Sequence, residues 1–135
     1  MKKIFTYFFL INTFYIINFY ADNWTLVSHG ENISVYIDEN TINSKDNIVV
    51  WWQLDSYSEK FPDIDITIYS NIARSEGDCL RGGRRDLYIT YYDQEMGKGN
   101  KVHISKNPDK EWIYYEPGTV YYKSLMYACE KINSR

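Results

Sequence analysis

Two histidines, two cysteines, a close pair of aspartates and a group of arginines are the residues of this chain whose types could do chemistry. His29 falls in a turn-like stretch and His103 in a strand-like one. There is no His-x-x-x-His pair and no acidic residue at ligand spacing, so neither a metal centre nor a general base is indicated. Asp63 and Asp65 have the residue type of a glycosidase pair, but beside Pro62 they read as an acidic strand entrance. Gly97-x-Gly99 lacks the later glycine, the lysine and the helix of a phosphate loop, and no Gly-x-Ser-x-Gly elbow occurs. A cysteine nucleophile would need a free thiol. No catalytic residue, metal ligand or cofactor is assigned, and a small hydrolase would require His103 to meet a carboxylate in a cleft.

Arg81, Arg84 and Arg85, with Arg74 on the neighbouring strand, are the charge feature that stands out. Forked guanidinium groups can bind carboxylates, sulfated glycans or an acidic partner surface. Against that, arginines around a hairpin turn are commonly solvated or paired, here with Asp78 and Asp86. Lys98, Lys101, Lys106 and Lys110 make a second, diffuse run that reads as solvated. The formal charge of the chain is −3, and −5 once a leader carrying Lys2 and Lys3 is removed, which argues against nucleic-acid binding. Tyr88, Tyr91 and Tyr92 crowd one strand; one of its faces must be core, and the other can serve a partner or a second copy. An exposed edge strand would give a homodimer its contact.

The elements that must position these residues follow from periodicity. Met1-Lys2-Lys3 and the apolar run Ile4 to Tyr20 have the form of a secretory signal, with Ala21 as its expected last residue and an uncleaved N-terminal anchor as the alternative. Asn12 and Asn18 interrupt the run, which makes it a poor membrane span, and no cysteine stands near it to carry a lipid. The chain is thus read as a 1–21 leader and a single 22–135 domain in the periplasm or at the cell surface. At 135 residues one core is expected.

Trp24–Val27 and Ile33–Asp38 make a hairpin around His29–Asn32, and Asp38–Ile42 breaks the alternation. Ile48–Tyr57 follows, with Val50, Trp52 and Leu54 on one face and Val49, Trp51 and Gln53 on the other. Asp65–Asp78 is predicted as one long strand, followed by Arg85–Tyr92 and Lys101–Ser105. After Pro117-Gly118, Thr119 can cap a helix whose apolar stripe is Tyr121, Leu125, Ala128, Cys129 and Ile132. The expected fold is α+β, an antiparallel sheet of about six strands with the C-terminal helix packed on one face; a closed barrel is the alternative. In an exported chain, Cys79 and Cys129 read as a disulfide rather than a metal pair or redox motif.

The order Trp24-Thr25-Leu26-Val27, Val35–Ile42, Val50-Trp52-Leu54, Asp78-Cys79, Met96-Gly97-Lys98-Gly99, Trp112, Glu116-Pro117-Gly118-Thr119 and Cys129 resembles the surface-adhesin protein E family. The resemblance spans nearly the whole mature chain. It implies an antiparallel sheet with a C-terminal helix held by a Cys79–Cys129 disulfide. It also implies a non-enzymatic surface or periplasmic protein, the namesake being an adhesin for host extracellular-matrix proteins. The namesake type is lipid-anchored, and this chain has no cysteine for a lipid. The functional expectation is an exported binding protein contacting a protein, acidic or glycan partner through Arg81, Arg84 and Arg85. The alternative is an envelope accessory protein without adhesive activity.

Overall fold

The computed structural model describes residues 23–105 and 111–135. The 1–21 leader, Lys106 and the turn at 107–110 fall outside the described residues. Seven strands run β1 (Trp24–His29), β2 (Ile33–Lys45), β3 (Ile48–Tyr57), β4 (Ser70–Asp78), β5 (Gly83–Tyr92), β6 (Lys101–Ser105) and β7 (Ile113–Tyr114), and α1 (Val120–Asn133) closes the chain. All pairings are antiparallel and the first six strands lie in sequence order, while β7 adds beside the start of β5. Among the described residues β1 and β6 stand at opposite ends without pairing, so the sheet is open rather than a barrel.

The alternation in β3 sorts its side chains as expected, because a strand sends successive residues to opposite faces. Val49 and Trp51 join Ile37, Ile42, Leu125, Ala128 and Cys129 in one buried cluster beneath the helix. Burying each of the larger ones contributes about 1.5–3 kcal/mol. The helix lies on β1, β2 and β3. Its start is fixed by Thr119, whose side chain accepts a bond from the Tyr122 N–H, satisfying a donor that the first turn leaves free. Gly77 sets how close it can come. A Cβ there would stand 2.2 Å from the Leu125 Cδ1 and 3.0 Å from the Trp51 ring. The disulfide Cys79–Cys129, with Cα atoms 5.9 Å apart, ties the last helical turns to the end of β4.

Two stretches depart from the sequence expectation. β2 runs on to Lys45 instead of breaking after Asp38, and a register shift between Asp38 and Asn43 absorbs the lost alternation. Thr41 makes that possible. Its hydroxyl accepts from the Trp52 N–H at 2.9 Å and donates to the Asp38 carbonyl at 2.7 Å, replacing ladder bonds that the shift removes. The long strand expected over 65–78 begins only at Ser70. β3 ends at Tyr57, so the preceding residues have no ladder partner. The connection closes on itself instead, through Tyr57 N–H to Tyr69 O and Phe61 N–H to Ile68 O. Ile68 is buried, whereas Ile64 and Ile66 are exposed, and Ile72 packs on the opposite face against Leu54.

Candidate binding surface

The arginines were the residues singled out by type, and the fold separates them. Leu87 has no partner on β4: Tyr88 pairs with Arg74 and Asp86 with Ser75, so the register slips by one between them. Such a bulge exchanges the faces of everything beyond it. Arg84 and Asp86 therefore share the helix face with Asp55, while Arg85 and Tyr88 share the outer face.

Arg84 is 3% exposed. Its Nε and Nη2 donate to Asp86 Oδ1 at 3.2 and 3.0 Å, and Ser75 Oγ donates to the same oxygen at 2.7 Å. The guanidinium lies 4.9 Å from the Tyr121 ring centre, and Nη1 has no hydrogen-bond partner among the described residues. Burial works against its charge, but Asp86 and then Asp55 outweigh burial and raise the pKa further. On β3 a chain of bonds runs from Trp51 Nε1 to Gln53 Oε1, from Gln53 Nε2 to Asp55 Oδ1, and from the Tyr121 hydroxyl to Asp55 Oδ2. Burial pushes the Tyr57 and Tyr121 hydroxyls above the usual tyrosine range, and the Asp55 charge adds to it. This is a largely buried clamp between sheet and helix.

Asp55 carries the pH dependence of that clamp. Burial raises its pKa above the ordinary carboxyl value despite Arg84 and the Gln53 bond. The folded state then holds the proton more tightly than the unfolded chain. Stability should fall as pH rises from the ordinary aspartate range, about pH 4, through the raised value. Asp55→Asn should flatten that decline, which urea denaturation at a series of pH values would measure. An unchanged slope would place the titration elsewhere.

The outer face is different. Trp52, Arg74 and Tyr88 stand directly opposite one another across β3, β4 and β5. The Arg74 guanidinium is 5.7 Å from the Trp52 ring centre, and the Trp52 and Tyr88 rings meet edge to face at 6.1 Å. Desolvation by those neighbours presses against the Arg74 charge, and among the described residues no carboxylate pairs with it. One step along, Glu76 opposite Arg85 takes the Nε edge of its guanidinium, which lies 4.3 Å from the Trp112 ring centre. Gly83 leaves room for the next ring: a Cβ there would stand 2.9 Å from Tyr114 and 3.4 Å from Trp112. The result is a strip of alternating rings and cations along β5. Arg81 stands apart in the β4–β5 turn, with a side chain 75% exposed and Asp78 at 4.0 Å.

The residue types and the Arg74 neighbourhood were legible in the sequence, but the bulge that gathers Trp52, Arg74, Tyr88, Arg85 and Trp112 left no mark there. His29 is exposed and closes β1. His103 is exposed on β6 beside the Tyr91 ring, at 5.9 Å, and among the described residues no carboxylate forms an ion pair with it. Asp63 and Asp65 are exposed in the β3–β4 connection, and Lys98 and Lys101 are exposed around β6. Among the described residues no three His, Cys, Asp or Glu side chains gather as metal ligands, and no helix is long and apolar enough to cross a membrane.

The family model of surface-adhesin protein E matches residues 24–130. No curated protein matches the chain. Solved structures of Haemophilus influenzae protein E share the fold. Its crystal form II superposes with a TM-score of 0.62 at 17% identity, covering 83% of this chain and 91% of that one. A second structure of that protein gives 0.61 at 17% identity, with 84% and 89% covered. Protein E from non-typeable Haemophilus influenzae gives 0.59 at 17% identity, with 84% and 79% covered. At such identity the likeness is one of fold.

Proposed function

The chain belongs to the surface-adhesin protein E family, and from that premise we propose an exported, non-enzymatic binding protein. Residues 1–21 act as the leader. The 22–135 domain, in the periplasm or at the cell surface, contacts a macromolecular partner through the outer face of β3–β5. The observation that carries this reading is Arg74, a partly desolvated cation between aromatic rings with no carboxylate partner among the described residues. A cation kept that way is stabilised when an anion of the partner arrives. Of the three arginines marked by sequence, Arg85 borders the strip and Arg81 is exposed in the β4–β5 turn, apart from it. Arg84 acts from inside by holding the helix.

A host extracellular-matrix protein is the partner class to which the family points. Capture from matrix extract by the immobilised protein should yield a defined partner. Arg74→Ala and Arg85→Ala should each weaken that capture roughly tenfold or more, as charge-assisted bonds are lost. Capture that ignores both substitutions would move the contact off this face. No captured partner, with the protein held in the periplasm on fractionation, would favour an envelope accessory role instead.

A further inference from the structure

We propose that the occupant of the outer strip is a sulfated polysaccharide chain, its sugar rings lying against Trp52 and Trp112 and its sulfo groups meeting Arg74 and Arg85. The proposal rests on the outer face being the contact surface, and it names what that surface reads.

Charge complementarity is the first argument. The strip gathers cations on a chain whose formal charge is −3, so an anionic partner is drawn here rather than to the acidic remainder. The second is layering. Each guanidinium lies beside or over an indole, at 5.7 and 4.3 Å, in two adjacent cross-strand rows about 7 Å apart along the strands. Flat apolar patches alternating with cations match a polymer that alternates the C–H faces of sugar rings with anions. A folded acidic protein offers carboxylates on separate flexible stems and no flat faces to lay on the indoles. The third is reach. A uronate carboxylate is bonded directly to a ring carbon and stays near the outline of the stacked ring. A sulfo group on an exocyclic oxygen projects past that outline to a guanidinium at its side. Glu76 already holds the Nε edge of Arg85, so an incoming anion meets the remaining N–H groups, which a three-oxygen sulfo group can satisfy from several angles.

The test titrates the protein with heparin, with desulfated heparin and with polyglutamate at low salt, following tryptophan fluorescence. Heparin should change the emission and bind at least tenfold more tightly than desulfated heparin, and polyglutamate should not compete. Arg74→Ala and Arg85→Ala should weaken heparin binding and reduce its salt dependence. Trp112→Leu should weaken it with the salt dependence unchanged, each variant being first shown to melt like the parent. Should a variant fail to fold, Arg74→Gln and Arg85→Gln give the same comparison. Equal binding of both heparins would mean that uronates are read, and competition by polyglutamate that an acidic protein is. Either result overturns the proposal, as does heparin binding that survives every strip substitution. If a matrix protein is captured through the strip and heparin does not compete, this inference falls while the binding function stands. If neither ligand responds to the strip, both fall.

Discussion

Arg84→Ala is expected to destabilise the protein by about 3–5 kcal/mol, the range for removing one partner of a buried ion pair. The reason is what remains behind. Asp86 loses both of its bonds from Arg84, and Asp55, itself 3% exposed, loses the cation whose charge works against burial there. Tyr121 also loses the guanidinium on its ring, loosening the first turns of α1. Against a total of about 5–15 kcal/mol for a domain, that loss is severe. Arg85→Ala provides the contrast one residue along. Its side chain is 31% exposed and that of its partner Glu76 15%, so the pair is only partly shielded from water and its removal should cost about 1–2 kcal/mol, well short of Arg84. Urea denaturation of both variants decides the matter. Similar midpoints for the two would contradict the inward placement of Arg84, and with it the division of the arginine group into a clamp and a contact.

Opening the Cys79–Cys129 bond is the second large perturbation. The two cysteines are 50 positions apart, and in the chain-entropy view a loop of that size is worth about 4 kcal/mol. Cys129 is buried at 5% in the same cluster as Trp51 and Leu125, so replacement also removes packing. The double variant Cys79→Ala/Cys129→Ala should therefore shift the urea midpoint by a similar amount to Arg84→Ala. Hydrogen exchange should rise first in α1 and the end of β4, the segments the bond joins. Free thiols detected in natively purified, unreduced protein would remove the basis of this expectation.

Each of these effects sits where the chain's local pattern meets a partner far along it. Thr119 after Pro117-Gly118 marked the helix start, and the Tyr121 to Ile132 stripe marked its buried face. Val49 and Trp51 against Val50 and Trp52 marked a central strand with apolar residues on both faces. These were readable because capping and side-chain alternation depend on residues within a few positions of one another. The isoleucine-rich 64–68 stretch has the same strand pattern, yet it stays outside the sheet because β3 ends at Tyr57 and supplies no ladder opposite it.

By itself, the sequence determined an antiparallel α+β domain, its closing helix and its two cysteines, since period and capping are properties of neighbouring residues. Tertiary structure alone decided the fate of the arginines. Leu87, which has no partner on β4, shifts β5 against β4, turning Arg84 inward to Asp86 and setting Arg85 on the same face as Tyr88. Strict alternation along the chain would have placed Arg84 with Tyr88. The choice between those arrangements lies in cross-strand hydrogen bonds and in what α1 covers, and both require residues far apart in sequence to meet.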